Sequence, residues 1–241
     1  MGGFDAQFVP QLLAVEDRHF WFRARNAAIA TLARQATIGL DPGYLVLDVG
    51  CGTGNTLKTL QSACRSGRAL GLDSLLDGLP HARSRSGRPV VQADILQLPF
   101  GAAPRFHLIG LFDVLEHIQD DSLALARLRE LLVPGGALLV TVPAHPKLWS
   151  YFDEAARHCR RYSIDSLSAR LTESGYRAEY VTPFMSSLYP VLWVTRKLGG
   201  LSRRGCTATL PDLRVVPIVN SLLFRLLSRD ARLIGARRKV R

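Results

Sequence analysis

The middle of the chain alternates between continuous apolar runs and amphipathic stretches. The first apolar run, residues 44–49, shows no alternation of polar side chains, which is typical of a strand covered on both faces. Comparable runs recur at residues 68–72, 90–92, 106–111 and 137–142. Strands that alternate with helical stretches predict an α/β fold, in which a mostly parallel central sheet lies between two layers of helices.

Two helices are predicted within this repeating part, and a third precedes it. One begins at about Asn55, soon after the first strand. Another covers residues 121–132 and ends at the Pro-Gly-Gly sequence that starts at Pro134. Upstream of the first strand, residues 8–36 have a helical pattern and are expected to be helical.

The end of the repeating part predicts one more helix and one more strand. Ser163 is a suitable N-cap for a helix that reaches Glu173, and Gly175 is a natural stop. The residues that follow, 176–181, are expected to form a sixth strand.

The alternation of strands and helices ends at about Thr182. Four prolines interrupt the sequence from there on, and residues 201–205 have the composition of a flexible link. Residues 218–234 are predicted to form an amphipathic helix. Its apolar face holds Ile218, Val219, Leu222, Leu223, Leu226 and Leu227, and its polar face holds Ser221, Arg225, Ser228, Arg229 and Arg232.

The distribution of charge supports a division into a helical cap (1–40), a core (41–181) and a basic helical tail (182–241). The chain of 241 residues has a net charge of +11. The tail carries twelve Lys and Arg residues against two acidic ones, so it holds almost all of the excess. A uniformly basic nucleic-acid-binding domain would not show this distribution, and a nucleic-acid partner is not expected.

Composition indicates a packed globular protein, because 47% of the residues are hydrophobic and 21% are charged. The sequence shows no signal peptide and no run of about 20 apolar residues that would span a membrane. The four cysteines are scattered without the paired spacing of a zinc site. We therefore expect free thiols in the cytoplasm and no bound metal.

A glycine-rich loop follows the first predicted strand, with the sequence Asp48-Val-Gly-Cys-Gly-Thr-Gly54. Glycines allow a sharp turn and a close approach to a ligand, and the next helix offers free N–H groups to an anion. The alternative is a tight turn with no ligand. The spacing excludes the G-x-G-x-x-G pattern of dinucleotide-binding loops, and no Gly-Lys-Ser/Thr of a P-loop occurs. An acid two residues before the loop suits a ligand with positive charge or amine donors.

Two further acids follow the next strands. Asp73 comes at the end of the second strand, where a carboxylate can accept both hydroxyls of a ribose. Asp94 comes just after the third strand and is able to accept from an adenine amino group. Each alone is more often a turn former or a helix cap, but three acids at three consecutive strand ends favour one shared ligand.

These motifs together resemble the class I S-adenosylmethionine-dependent methyltransferases of the small-molecule (UbiE/type 11 and 12-like) kind. The resemblance covers residues 44–142 and is specific in combination. It also includes the segment from Phe106 to Glu116 and His117, and residues 131–140. It implies a Rossmann-like three-layer sandwich that binds S-adenosylmethionine and transfers its methyl group to oxygen or nitrogen of a small-molecule or lipid-like acceptor.

The resemblance also assigns roles in holding the cofactor. Residues 48–54 would border the methionine moiety, Asp73 the ribose, and Asp94 the adenine, while Phe112 and the aspartate after it would close over the cofactor. The implied cofactor-binding residues are Asp48, Gly50, Cys51, Gly52, Gly54, Asp73, Ser74, Asp94, Ile95 and Phe112.

On the acceptor side, His117 and His145 are the candidate general bases, since both follow strands at the edge where open α/β sheets place their active sites. The alternatives are that His117 packs near the start of a helix and that His145 forms a pocket wall. The segment from Asp153 to Tyr162 resembles one found in a subset of the family. Its candidate acceptor-binding residues are His158, Arg160, Arg161 and Tyr162. Its arginines either hold an acidic acceptor or pair with the nearby acids.

The N-terminal segment around residues 19–25 resembles a family helix that lies over the cofactor cleft. Trp21 and Phe22 would exclude water, Trp21 would also contribute to the acceptor pocket, and Arg25 would meet the methionine carboxylate. The alternative is ordinary helix packing with surface arginines.

The tail departs from the family pattern, because no seventh strand can be located in it. A basic amphipathic helix with a largely arginine polar face suggests contact with an anionic membrane surface, which would bring an otherwise cytoplasmic protein to the inner face of the membrane. The alternative is a helix packed on the core with a solvated basic face. Three rival functions remain, namely a non-catalytic cofactor-binding module, a nucleic-acid methyltransferase and a nicotinamide oxidoreductase.

Overall fold

A computed structural model describes residues 6–101, 103, 105–189 and 215–236, and these residues contain one five-stranded sheet. The strand order is β3-β2-β1-β4-β5, and every neighbouring pair is parallel. The strands are β1 (Leu45–Val49), β2 (Arg68–Asp73), β3 (Val90–Gln92), β4 (Phe106–Phe112) and β5 (Leu132–Thr141). The five strands predicted in the core are all confirmed, but β5 begins at Leu132, five residues before its predicted start at residue 137.

Eight helices surround the sheet in the described part of the chain. They are α1 (Val9–Val15), α2 (Phe20–Ala36), α3 (Asn55–Ala63), α4 (Leu79–Ser86), α5 (Asp121–Leu131), α6 (Tyr151–Ala155), α7 (Ile164–Glu173) and α8 (Pro217–Gly235). Side chains of α2, α3 and α4 pack on one face of the sheet, and side chains of α5 and α7 pack on the other. The three-layer α/β fold is therefore confirmed.

The apolar run of β1 is buried on both faces because β1 and β4 form the centre of the sheet. Val46 of β1 and Leu108 of β4 lie in the core with α2 and α3, whereas Leu47 and Ile109 lie in the core with α5. All four side chains are fully buried. The continuous apolar pattern thus reflects two covered faces, as parallel sheets require.

The helical character predicted for residues 8–36 is confirmed, and the segment is divided into α1 and α2. His19 has an extended backbone (φ −68°, ψ 133°), and its side chain accepts a hydrogen bond from the Trp21 N–H. It is therefore the N-cap of α2. The predicted helices that begin at Asn55, at Asp121 and after the Ser163 N-cap are confirmed.

The predicted sixth strand at residues 176–181 is wrong, because these residues form no ladder with β5. The Tyr176 hydroxyl instead donates to the Leu125 carbonyl of α5 (2.9 Å), and Arg177 pairs with Glu179 at the surface. The Tyr176 contact holds the start of the segment against α5, whereas the Arg177–Glu179 pair lies within the segment itself. In the described ranges, β5 is accordingly the last strand of the sheet on its side.

Helix α8 runs parallel to α2 and packs along its length. Asn220 accepts a hydrogen bond from the Phe20 N–H (2.7 Å) and donates to the Arg18 carbonyl (3.0 Å). At the other end, the Gln35 amide donates to the Gly235 carbonyl. Between these contacts, small side chains of α2 allow close approach to Leu227, Ala231 and Ile234, which are buried.

This packing corrects the predicted apolar face of the last helix. Leu227 is buried as expected, but Ile218 is 85% exposed and Leu222 is 67% exposed, and Val219 is also exposed. The register is set by Asn220 and by the alanines of α2 rather than by the apolar stripe as a whole. The polar arginines of α8, Arg225, Arg229 and Arg232, are exposed as predicted.

Several predicted features of the tail lie outside the described residues. They are the flexible link at residues 201–205, Cys206 and the basic end at residues 237–241. The three cysteines that the structure describes, Cys51, Cys64 and Cys159, are free. Among the described helices, none combines the length and apolar character needed to cross a membrane.

Candidate active site

A cleft lies at the carboxyl ends of the strands, under the N-terminal part of α2. The glycine loop after β1, the loops after β2 and β3 and the residues after β4 line one part of it. The segment after β5 and residues 156–164 line the other part. This is the edge at which open α/β sheets bind their ligands.

The glycine loop has left-handed backbone conformations at Gly50 (φ +72°), Gly52 (φ +50°) and Gly54 (φ +86°). A Cβ at Gly54 would lie 2.5 Å from the Cα of Ala82, so this glycine permits close packing of α3 on α4. A Cβ at Gly52 would have no heavy atom of another residue within 4 Å. Gly52 therefore leaves open space on the cleft side of the loop, where a ligand can approach the backbone.

Asp48 is fully buried directly below this loop. Its Oδ2 accepts a hydrogen bond from the Thr56 hydroxyl (2.7 Å), whereas Oδ1 has no hydrogen-bond partner among the described residues. Burial raises the pKa of Asp48 to about 7, although the Thr56 hydrogen bond and the charge of Arg25 act in the opposite direction. A donor or a cation near Oδ1 would stabilise the ionised carboxylate.

Asp73 and Asp94 stand at the ends of the next two strands, as predicted. The Asp73 carboxylate accepts hydrogen bonds from the N–H groups of Gly52 (2.7 Å) and Leu75 (2.8 Å), so it also shapes the glycine loop. Asp94 Oδ1 accepts from the Leu96 N–H (2.9 Å), and its buried Oδ2 is without a partner in the part of the chain that the structure describes. Ser74, Ile95, Cys51 and Phe112 also line the cleft.

Helix α2 brings Arg25 into the cleft. Arg25 is buried and forms an ion pair with Asp113, which follows β4. Its guanidinium also lies 4.7 Å from the centre of the Trp21 ring. Asp113 has a left-handed backbone (φ 55°) and accepts a hydrogen bond from the Thr141 hydroxyl (3.0 Å). The predicted lid residues Trp21 and Arg25 therefore face the cleft, and Arg25 binds a carboxylate of the protein itself.

A second contact, which the sequence did not indicate, fixes the N-terminal segment to the glycine loop. Glu16 is buried and accepts hydrogen bonds from the Thr53 hydroxyl (2.5 Å) and from Arg85 of α4 (2.6 Å). Arg85 also pairs with Asp17 (3.0 Å). Glu16 and Arg85 lie 69 residues apart, so no local pattern links them.

On the acceptor side, Asp153 is the centre of a buried ion-pair network. Its carboxylate accepts from Arg161 Nε (2.7 Å) and from the Ser150 N–H (2.8 Å), and it lies 2.9 Å from His158 Nδ1. Burial raises the pKa of Asp153, but the hydrogen bonds from His158 and Arg161 outweigh this effect and bring it to about 2. Arg161 therefore pairs with a nearby acid, which is the alternative that the sequence left open.

Arg160 and Tyr162 converge on another acid, Asp121 at the start of α5. Arg160 Nη1 lies 2.7 Å from Asp121 Oδ2, and the Tyr162 hydroxyl donates a hydrogen bond to the same oxygen (2.7 Å). Tyr162 is buried at the cleft wall, whereas Arg160 does not line the cleft in the described part of the chain. These two residues hold the segment after α6 against α5.

His117 and His158 meet at the cleft wall, beside Glu116. The two imidazole rings are 4.7 Å apart between centroids, and His158 Nε2 lies 4.0 Å from Glu116 Oε1. Burial raises the pKa of Glu116 well above its usual value, and the charge of Asp113 adds to this effect. Burial also lowers the pKa of His117 to about 4, so that its ring is neutral at pH 7.

His145, the other candidate base, lies at the mouth of the cleft after β5. It is exposed, and its backbone is left-handed (φ 60°), which is uncommon for a residue other than glycine. Its ring lies 4.5 Å from that of Tyr189, between centroids. The structure therefore places both candidate bases on the same cleft, with His117 in its wall and His145 at its opening.

The family profile described as "Methyltransferase domain" matches residues 18–181, which is more than half of the chain. The chain belongs to the class I S-adenosylmethionine-dependent methyltransferases. Its cofactor is accordingly S-adenosylmethionine, and the family predicted from the sequence is confirmed.

Two named methyltransferases are similar in sequence to this methyltransferase. An O-methyltransferase of Penicillium expansum is 31% identical over 175 residues, which cover 66% of this chain and 62% of the relative. A 2-phytyl-1,4-naphtoquinone methyltransferase of Thermosynechococcus vestitus is 36% identical over 113 residues, which cover 45% of this chain and 50% of the relative. The matches cover 47% to 62% of the length of the first relatives found.

A solved structure supports the fold. Phosphoethanolamine N-methyltransferase 2 of Haemonchus contortus, in complex with S-adenosyl-L-methionine, superposes with a TM-score of 0.54 over 85% of this methyltransferase and 49% of that chain. The sequence identity is 16%, so the likeness concerns the fold.

Proposed function

We propose that this methyltransferase transfers a methyl group from S-adenosylmethionine to oxygen or nitrogen of a small-molecule or lipid-like acceptor. The observation that carries the proposal is the buried Asp48 carboxylate, whose Oδ1 has no partner among the described residues, below a glycine loop that opens to the cleft. A cofactor with a sulfonium and an ammonium group supplies the positive charge and donors that this carboxylate lacks.

The cofactor lies, in this proposal, along the ends of β1, β2 and β3. Residues 50–54 and Asp48 border the methionine part, with Cys51 in the loop wall. Asp73 and Ser74 hold the ribose, since the two oxygens of the Asp73 carboxylate can accept from a hydroxyl in addition to the backbone N–H groups that they already bind. Asp94 and Ile95 border the adenine, because Asp94 Oδ2 is available and Ile95 offers a buried apolar wall.

Arg25 and Phe112 complete the cofactor site in the proposal. Arg25 carries more donors than its pairing with Asp113 uses, and Trp21 stacks beside its guanidinium. The methionine carboxylate is the ligand group that a buried arginine at this position would bind. Closure of α2 over the cleft would also exclude water from the reacting atoms.

The chemistry needs positioning more than a protein nucleophile. The acceptor atom attacks the methyl carbon while the bond to the sulfonium breaks, and well-oriented reactants account for about 7–11 kcal/mol of such a barrier. An acceptor hydroxyl also has to lose its proton. His117 and His145 remain the candidate bases, but burial lowers the pKa of His117 to about 4, which makes its ring a weak base near pH 7.

The acceptor site is proposed on the side of the cleft lined by Trp21, His158, Arg161 and Tyr162. The relatives named above support a small organic acceptor there. The ion pairs of Arg161 with Asp153 and of Arg160 with Asp121 mean that these arginines act on an acceptor chiefly by fixing the cleft wall.

We further propose that α8 contacts an anionic membrane surface. Its first turns expose Ile218, Val219 and Leu222, and its later turns expose Arg225 and Arg229. An apolar end that continues into an arginine face is suited to insert among lipid headgroups. A lipid-like acceptor would then reach the cleft from the membrane.

The test is cofactor turnover. The purified chain is incubated with S-adenosylmethionine and fractions of a metabolite extract, and S-adenosylhomocysteine is quantified by mass spectrometry. The proposal predicts its formation with a small-molecule fraction and loss of this activity in the Asp48→Asn variant. Formation of S-adenosylhomocysteine only with RNA or DNA would favour a nucleic-acid methyltransferase. Binding of S-adenosylmethionine without turnover would favour a non-catalytic binding module.

A further inference from the structure

The wall of the cleft contains a cluster of three side chains whose ligand-type atoms converge. They belong to Glu116 and His117, after β4, and to His158, after α6. One donor atom of each residue lies within 4.8 Å of the others. No local sequence pattern connects these residues, because the chain returns to the cluster only after β5 and α6. The arrangement of two imidazoles and one carboxylate is a donor set typical of divalent transition-metal sites.

Two atoms of this cluster are buried without a hydrogen bond. Glu116 is 1% exposed, and its Oε2 has no partner in the described ranges of the chain. The same holds for Nδ1 of His117. Leaving such atoms unpaired in the interior is energetically unfavourable, so a ligand that binds both would recover this energy.

The other ring nitrogens are held by groups outside the cluster. His158 Nδ1 lies 2.9 Å from the Asp153 carboxylate. Arg161 and Ser150 in turn donate hydrogen bonds to this carboxylate. The other ring nitrogen, His158 Nε2, faces Glu116. The His117 ring takes part in a hydrogen bond with the Arg157 backbone. Metal-binding histidines have this arrangement, with one nitrogen on the cation and the other donating to a carboxylate or a carbonyl.

We propose that Glu116, His117 and His158 bind one divalent transition-metal cation, with Asp153 as the positioning residue for His158. A cation with bonds of about 2.1 Å holds neighbouring ligand atoms about 3–3.5 Å apart. The three side chains therefore need to approach one another by about 1 Å when the cation binds. The sequence predicted no metal, so this proposal departs from that expectation.

The proposed cation has a role that rests on the proposed methyl transfer. Three protein ligands leave further coordination positions on the cation, and the cluster lines the same cleft as the glycine loop. A hydroxyl oxygen of the acceptor would occupy one of these positions, and its proton would pass to solvent because the cation lowers the pKa of the hydroxyl. The oxygen then attacks the methyl carbon as the carbon–sulfur bond breaks, leaving neutral S-adenosylhomocysteine sulfur. The acceptor class is therefore a hydroxyl compound, such as a phenol or an enol.

The experiment titrates Co²⁺ into the purified full-length chain after dialysis against a chelator, and follows the visible absorption of the bound ion. The proposal predicts one Co²⁺ per chain, displaced by Zn²⁺. It also predicts affinity at least about tenfold lower in Glu116→Gln and in His158→Gln, and lower by about 10–100-fold in Asp153→Asn. His81→Gln is the matched control, because His81 is an exposed histidine of α4 that does not line the cleft, and its affinity is expected to be unchanged.

Absence of Co²⁺ and Zn²⁺ binding by the wild-type chain would overturn the proposal, as would affinity unchanged in folded Glu116→Gln and His158→Gln. If these variants do not fold, X-ray absorption of the Zn²⁺-loaded wild-type chain identifies the ligand atoms of the bound cation. Two imidazole nitrogens with a carboxylate oxygen support the site, and a thiolate ligand such as Cys159 contradicts it. Calorimetry with S-adenosylmethionine on the same metal-free sample separates failure of this site from failure of the proposed function.

Discussion

The Asp153 carboxylate lies 2.9 Å from Nδ1 of His158, and this contact fixes which nitrogen of the ring faces the cleft. Asp153 is itself fully buried and is also bound by Arg161. His158 is thereby held with Nε2 toward Glu116. A segment that the sequence offered as an acceptor-binding loop is thus, in its charged residues, a rigid support for one histidine at the cleft wall.

The Asp48→Asn variant separates the functional and structural effects of a buried acid. The pKa of Asp48 is about 7 in the folded chain, whereas the ordinary value of 3.8 applies to the unfolded chain. Ionisation of Asp48 therefore opposes folding. Its contribution to stability is fully present below about pH 4 and is lost as the pH rises toward 7. The variant without ligand is therefore expected to have a higher melting temperature than the wild type at pH 8.

Cofactor binding by the same variant is expected to change in the opposite direction. The ionised carboxylate attracts the positively charged cofactor, so the affinity of the wild type for S-adenosylmethionine should rise between pH 6 and pH 8. Asp48→Asn should bind at least about tenfold more weakly, which corresponds to about 1.4 kcal/mol, and should show a flat pH dependence. Calorimetry across this pH range measures both. Equal affinity of the two chains at pH 8 would contradict the role of Asp48.

Gly52 and Gly87 provide a matched pair for testing the glycine loop. Both have left-handed backbones (φ +50° and φ +63°), and a Cβ at either position would have open space within 4 Å. Alanine at either position should cost about 1–2 kcal/mol of unfolding free energy because of the backbone strain. Gly87 ends α4 and does not line the cleft. Only Gly52→Ala should therefore also lose cofactor affinity; a similar loss in Gly87→Ala would indicate a general effect of stability.

Asn220 tests the docking of α8 on α2. Its side chain is buried and bonds to the Phe20 N–H and the Arg18 carbonyl. Asn220→Ala should cost about 1–3 kcal/mol of unfolding free energy, since both backbone groups lose their partner. Thermal denaturation measures this as a melting temperature lower by several degrees. Ser221→Ala, at an exposed neighbouring position, is the control and should leave the melting temperature nearly unchanged.

The exposed apolar end of α8 tests the proposed membrane contact. The double variant Ile218→Ser with Leu222→Ser should bind anionic vesicles at least about tenfold more weakly, as judged by co-sedimentation, because two exposed apolar side chains no longer insert. Its unfolding free energy should change by less than about 0.5 kcal/mol per site. Ile164→Ser, an exposed isoleucine of α7, should bind vesicles like the wild type. Vesicle binding that does not depend on Ile218 and Leu222 would place the contact elsewhere.

Local patterns predicted the parts of the molecule that depend on neighbouring residues. The buried run of β1, the turn at Gly50 and the N-cap at Ser163 each need only a few consecutive residues, and all are found as expected. The three acids at the strand ends follow from the topology of a parallel sheet. Their separate contacts do not, because Asp73 is bonded to Gly52, 21 residues away.

The parts that the sequence did not predict depend on contacts between distant segments. Glu116 meets His158 only because the segment after α6 folds back onto the end of β4. The register of α8 depends on Asn220 reaching Phe20, 200 residues earlier, and this contact leaves Ile218 exposed although its position in the apolar stripe suggested burial. The spacing of residues along the chain does not indicate either contact.

Calorimetric titration of the purified chain tests the central claim, that the cleft at Asp48, Asp73 and Asp94 binds an adenosyl sulfonium compound. S-adenosylmethionine, S-adenosylhomocysteine and NADH are titrated separately into the wild type and into Asp48→Asn. The account predicts heat of binding with the first two ligands in the wild type, a marked loss of affinity in the variant, and no binding of NADH. Binding of NADH without detectable binding of either adenosyl compound would contradict it.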